Sequence, residues 1–205
     1  MAVHSRARVG FRQAWQETCG LYAKMLFKFK FHCHTSPMKS SSSNTTLHLH
    51  KQNFKFSSAH FLIFDQKTAE KLHGHNYQVK VDIGVPPKAL LAEKGFFVDF
   101  NVFKEIIRRH LQSWDEKVLL PAKQKDMKFK KNGPSLEVTF RDRFYVFPQN
   151  EVELLAVTNT SVEQLSGLLA EAFFAEFQNF GVQKIRVVVE ETRGQAASTT
   201  IQGHS

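Results

Sequence analysis

The segment His73–Gly84, HGHNYQVKVDIG, alternates so regularly that it reads as a strand with one dry face and one wet face. His75, Tyr77, Val79 and Val81 fall on one side, and Asn76, Gln78, Lys80 and Asp82 on the other. A strand of this kind must bury its apolar side against a second layer. Asn53–His60, NFKFSSAH, is a natural neighbour, because Phe54, Phe56, Ser58 and His60 also share one side.

The stretch VPPKALLAEKG interrupts the strand pattern and leads to FFVDF. A helix is expected next, with Asp99 as its cap and Phe100, Phe103, Ile106, Ile107 and Leu111 at helical spacing. WDEKVLLP closes this helix, with Pro121 as its stop. MKFKKNGPSLEVTFRDRFYVFP then alternates around Asn132-Gly133 and again around Arg141-Asp142-Arg143, predicting one or two hairpins within an insert over 123–147. A second helix begins near Thr160, whose spacing to Glu163 fits a capping box, and carries Leu165, Leu168, Leu169, Ala172 and Phe173 as its stripe. Lys184–Thr192, KIRVVVEET, is the expected last strand. The order strand–strand–helix–hairpin–helix–strand reads as an α+β fold with a mainly antiparallel sheet.

With 205 residues, 42% of them hydrophobic, the chain can bury one core. No apolar run is long enough to span a membrane. The net charge of +9 would suit a nucleic-acid partner, but its distribution does not. Seven bases (Arg6, Arg8, Arg12, Lys24, Lys28, Lys30 and Lys39) and a single acid, Glu17, lie in residues 1–50, so most of the excess belongs there. That segment carries SPMKSSSSNTT near its end and has the composition of an organellar transit peptide or a disordered extension. The domain boundaries expected are an extension over 1–50 and one domain over 51–200. Localisation is then cytoplasmic, or organellar if the extension is a transit peptide. Cys19 and Cys33, both in the extension, imply no disulfide framework.

Two histidines at i and i+2 of a strand can present both imidazoles to one ion. An isolated His-x-His is weak support, and this chain has two more, His32-Cys33-His34 and His48-Leu49-His50, both in the segment set aside as an extension and expected to bind nothing. The case for His73 and His75 is strengthened by His60, which ends the neighbouring strand on its apolar face. Three neutral imidazoles with an open position describe a catalytic zinc site. Glu191 continues the apolar row of Ile185, Val187 and Val189. Its carboxylate needs a partner if buried, and a ligand with paired N–H donors would suit it.

These motifs resemble the 6-pyruvoyl-tetrahydropterin synthase family, which includes the 6-carboxytetrahydropterin synthases. FKFSSAHF is similar to the family's first strand and LHGHNYQVKV to its most specific motif, so the resemblance implies zinc ligation by His60, His73 and His75. GFFVDFNVFK is similar to the start of the family's first helix. WDEKVLL resembles the stretch carrying a catalytic aspartate, here Asp115; TSVEQL places Ser161 at a pterin-contacting hydroxyl; VVVEET places Glu191 at the pterin anchor. The resemblance implies a tunnelling fold, in which a four-stranded sheet carries two helices on one face and an inserted hairpin. It also implies a homo-oligomer that is usually a hexamer with active sites between subunits, and 7,8-dihydroneopterin triphosphate as substrate.

Two relay positions depart from the pattern. The family's catalytic cysteine has no counterpart in QKTAEKL, and Glu116 stands where a histidine usually follows the aspartate. Glu70, three residues before His73, resembles the glutamate of a subgroup that lacks the cysteine and cleaves the substrate side chain to 6-hydroxymethyl-dihydropterin. The expected activity is therefore that of a zinc-dependent carbon–oxygen lyase of pterin biosynthesis, serving tetrahydrobiopterin or folate synthesis. It gives 6-pyruvoyl-tetrahydropterin, the hydroxymethyl product through aldolase-like cleavage, or both. A catalytically inactive pterin-binding homologue and a 6-carboxytetrahydropterin synthase are the alternatives.

Overall fold

The computed structural model describes residues 45–86 and 95–203. The segment expected to be a transit peptide lies outside the described residues as far as position 44. Twelve elements follow: β1 (Thr45–Leu49), β2 (Lys55–His60), β3 (His73–Val85), α1 (Phe100–Trp114), β4 (Lys117–Pro121), β5 (Met127–Asn132), β6 (Ser135–Phe140), β7 (Arg143–Pro148), β8 (Val152–Leu155), α2 (Val162–Phe177), β9 (Lys184–Thr192) and β10 (Gln195–Gln202).

β3 is the spine. Its first half pairs with β2, its second half pairs with β1 on the same edge, and β9 lies along its other edge, all antiparallel. The complete sheet runs β10-β9-β3-β2-β4-β8 with β1 attached to β3, seven strands where the sequence suggested four. The β2–β4 and β4–β8 pairs are parallel, the exceptions in a sheet otherwise antiparallel. Tyr77, Val79, Val81 and Ile83 of β3, with Ile185, Val187 and Val189 of β9, form the dry face. Both helices cover it, α1 through Phe103, Ile107 and Leu111 and α2 through Leu165, Leu169 and Phe173.

Several expectations change. Residues 45–49 are folded, so the domain reaches ahead of the expected boundary at 51: Leu49 sits opposite Val81 and is 2% exposed in the main core. KVLLP is a strand rather than the end of a helix. α1 stops at Trp114, Glu116 adopts a left-handed φ of 58°, and Lys117 enters the sheet beside Ser58. The insert is a three-stranded meander, β5-β6-β7, with its own small core of Phe61, Leu120, Met127, Leu136, Val138 and Phe140. Asp99 does cap α1, accepting from the Asn101 amide at 2.9 Å. Thr160 does not cap α2. Its buried hydroxyl donates to the Phe61 carbonyl, and Ser161 takes the N-cap position. Lys184–Thr192 is also not the last strand, since Gly194, at φ 87°, turns the chain into β10.

Because β1 reaches the core through Leu49, Leu49→Ala should lower unfolding free energy by about 2 kcal/mol or more, as buried leucine truncations do. Urea unfolding of the variant checks this. A midpoint equal to the parent's would mean that β1 contributes no stability.

Candidate active site

The apolar face of β3 ends in histidine. His75 and His73 continue the row of Tyr77 and Val79, and the register places His60 of β2 opposite His73. The three rings meet with centroids 4.6–5.2 Å apart, and one nitrogen from each lies within 4.8 Å of the others.

Backbone carbonyls set the ring orientations. His60 Nδ1 lies 3.0 Å from the Thr160 carbonyl, and His73 Nδ1 lies 2.8 Å from that of Lys71. A carbonyl can only accept, so each Nδ1 carries the proton and each Nε2 offers a lone pair. His60 is 1% exposed, and its Nε2 is buried without a hydrogen-bond partner. Glu191 Oε1 stands 3.0 Å from that Nε2 and 3.5 Å from His75 Nε2. A lone pair and a carboxylate oxygen at this separation repel unless a cation lies between them. The donor set and the unsatisfied nitrogen therefore fit a zinc ion held by His60, His73 and His75. Burial, outweighing the pull of the Thr160 carbonyl and of Glu191, lowers the His60 pKa and keeps the ring in the neutral form that a metal requires.

Two carboxylates flank the triad. Glu191 accepts the Tyr77 hydroxyl at 3.2 Å. Burial and then the Glu191 charge push the Tyr77 pKa well up, so the phenol remains a donor. On the other side, Glu70 Oε2 is 3.9 Å from His73 Nε2. Glu70 is not a free loop charge. Oε2 accepts the Leu62 amide at 3.0 Å, and the Glu70 amide donates to the Leu62 carbonyl at 2.9 Å. The segment is also held from the insert, where the Arg143 guanidinium donates to the carbonyls of Ala69 and Glu70.

His75 and Glu191 line a groove of about 740 Å³ together with Gly74, Glu116, Lys117 and Arg193. A Cβ on Gly74 would meet only the Ser58 carbonyl at 3.6 Å, an ordinary contact, so close backbone approach is not what a glycine supplies there. Lys117 and Arg193 were missed in the sequence, where lysines and arginines are too numerous to single out. Each does lie two residues beyond a motif carboxylate, Asp115 and Glu191. Asp115 is not brought to the histidines. It ends α1 and its Oδ1 accepts the Ser57 amide at 2.7 Å, while its neighbour Glu116 lines the groove. Ser161 heads α2 beside Thr160, outside the residues lining the groove. Its hydroxyl is the main cause of the lowered Glu163 pKa.

The model of the family described as 6-pyruvoyl tetrahydropterin synthase matches residues 48–202, and the chain belongs to that family. A Methanocaldococcus jannaschii protein provisionally named 6-carboxy-5,6,7,8-tetrahydropterin synthase is 28% identical over 150 residues, 70% of this chain and 87% of its own length. The structure of Plasmodium falciparum 6-pyruvoyl tetrahydropterin synthase superposes with a TM-score of 0.70 at 22% identity, covering 78% of this chain and 99% of that one. Two Plasmodium vivax structures with the same scores, identity and coverage are of variants in which a glutamate, described as a catalytic residue, is replaced by alanine or by cysteine. The fold is thus the mixed α+β architecture of these synthases. Among the described residues no helix is long and apolar enough to cross a membrane.

Replacing His60 by alanine would remove the buried member of this candidate ligand set. Zinc affinity should fall by at least about 100-fold, exceeding the loss that outer partners of a ligand cause. Competition with a chromophoric chelator measures it, and unchanged affinity would place the metal elsewhere.

Proposed function

We propose that this protein is a zinc-dependent lyase acting on 7,8-dihydroneopterin triphosphate, with Glu70 as the base in place of the family's cysteine. The observation that carries the reading is the carboxylate at the triad's edge, 3.9 Å from His73 Nε2 and tied to Leu62. No cysteine occurs among the described residues. The Plasmodium vivax variants support the reading, since in that enzyme a glutamate is the residue described as catalytic.

Zinc, when bound, supplies Lewis acidity that lowers the pKa of a hydroxyl in contact with it. Glu191 binds the paired N–H edge of the pterin in two-pronged fashion, oriented by the Tyr77 hydroxyl. Glu70 takes the proton that leaves the side chain. A carboxylate is a weak base, better matched to an acidified O–H than to a C–H proton. This favours cleavage. The 2′-hydroxyl proton passes to Glu70, and the C1′–C2′ bond breaks with its electron pair delocalised into the pterin ring. C1′ then takes up a proton, giving 6-hydroxymethyl-dihydropterin and a two-carbon aldehyde that bears the triphosphate. Elimination of triphosphate to 6-pyruvoyl-tetrahydropterin is the second outcome of the same site. Asp115 acts by position, its bond to the Ser57 amide fixing the turn that presents Glu116. Ser161 is assigned to pterin contact and the assembly to a homo-oligomer, a hexamer, by family resemblance alone. The provisional names of the curated relatives favour 6-carboxytetrahydropterin formation as a further reading.

Incubating the zinc-loaded full-length chain with 7,8-dihydroneopterin triphosphate and identifying the pterins by mass spectrometry decides among the three products. Unchanged substrate would favour an inactive pterin-binding homologue. Glu70→Gln should reduce turnover by about 10²–10⁴-fold with zinc content intact, the range for loss of a positioned base. Turnover equal to the parent's would remove Glu70 from the chemistry. Glu191→Gln should weaken pterin binding by about 10–100-fold, as loss of a charged hydrogen-bond pair does. Calorimetry with dihydroneopterin tests this independently of turnover.

A further inference from the structure

The His48-Leu49-His50 motif is built like the triad. In the triad, two histidines at i and i+2 of β3 face a residue directly across the ladder, His60. In His48-Leu49-His50, two histidines at i and i+2 at the end of β1 face Asp82, which is opposite His48 in the β1–β3 register. His48 Nδ1 and His50 Nε2 each lie 2.7 Å from Asp82 Oδ1, with the rings edge-on at 5.4 Å. The three ligand atoms fall within 4.8 Å of one another.

We propose that His48, His50 and Asp82 form a second metal site, one that takes a divalent first-row transition ion, with zinc as the probe. The donor set is two imidazoles and one carboxylate, which suits such ions. Asp82 is prepared for a single-oxygen role, because the Arg186 guanidinium lies 3.5 Å from Oδ2, on the side away from the histidines. Arg186 is itself steadied by Ser198 of β10 at 3.3 Å. Metal uptake moves the ring protons to the outer nitrogens, where water accepts them, since His48 and His50 are both solvent-exposed. The remaining coordination positions open towards a cavity of about 520 Å³ lined by His48, Asp82, Lys184 and Arg186, so water completes the shell.

Asp82 is seven residues from His75 along the same strand, about 23 Å at the usual rise, and on its opposite face. The two sites can therefore load independently. An ion here clips β1 to β3, which makes the site structural, and binding should raise stability by mass action.

The test uses the full-length chain, stripped of metal and returned to two equivalents of zinc per chain. Metal per chain is counted by mass spectrometry for the parent, His48→Gln/His50→Gln, Asp82→Asn and His73→Gln/His75→Gln. The proposal expects the first two variants each to hold one equivalent of zinc fewer than the parent, with circular dichroism unchanged. It also expects zinc to raise the melting temperature of His73→Gln/His75→Gln, and this response to vanish when His48→Gln/His50→Gln is added. Equal zinc in the parent, His48→Gln/His50→Gln and Asp82→Asn would overturn the proposal and leave the cluster a hydrogen-bond network. This holds whether or not the triad variant folds.

Discussion

The pairing of β2 with β3, in the register that sets His60 against His73, is the constraint on which the rest of the molecule depends. Side chains alternate strictly along a strand, so a slip of one residue would turn His73, His75, Tyr77 and Val79 out of the core together. The same alternation that buries the hydrophobic face thus aims the histidines. Phe56 stacked on Tyr77 at 4.6 Å locks this register one step inside the site, and Tyr77 hands the packing on to Glu191 through its hydroxyl. Core and site are one row of side chains.

Electrostatics explains why such a row tolerates so many polar groups at its end. Three imidazole lone pairs converge between Glu191 and Glu70, and the ring at the centre of the contacts is buried and neutral. Among the described residues, neither carboxylate is paired with a lysine or arginine side chain. A divalent cation would resolve both the repulsion and the unsatisfied nitrogen, and folding brings the three candidate ligands together.

How far this was legible in the sequence depends on whether a residue's signal is carried by its side chain. The alternation of β3, the histidines at its start and the Asp99 cap are side-chain patterns and could be read directly. β4 could not. Leu119 packs into the main core and Leu120 into the smaller one beneath the insert, so KVLLP is apolar on both faces and has no period to read. β1 was hidden for the opposite reason. It is short, follows a serine run, and buries fully only Leu49. The carbonyls of Thr160 and Lys71, which orient two of the three histidines, are backbone atoms that any residue supplies, so no residue type marks them. His48-Leu49-His50 falls in the segment set aside as an extension, and Asp82, distant in sequence, becomes its neighbour only through β1–β3 pairing.

Arg143, on the last strand of the meander, lies over the rings of Phe61 and Phe140 while its guanidinium holds the Ala69 and Glu70 carbonyls. Arg141 holds the Asp65 carbonyl at 2.6 Å in the same way. The loop bearing the flanking carboxylate is therefore anchored to the smaller of the two cores. Local opening follows the least protected unit of a fold rather than the whole. On warming, the carboxylate would lose its position when the meander loosens, while the seven-stranded sheet and its histidine triad remain closed. Under the proposed function, the molecule would then pass through a metal-loaded but idle state before it unfolds, making thermal inactivation and thermal denaturation two separate events.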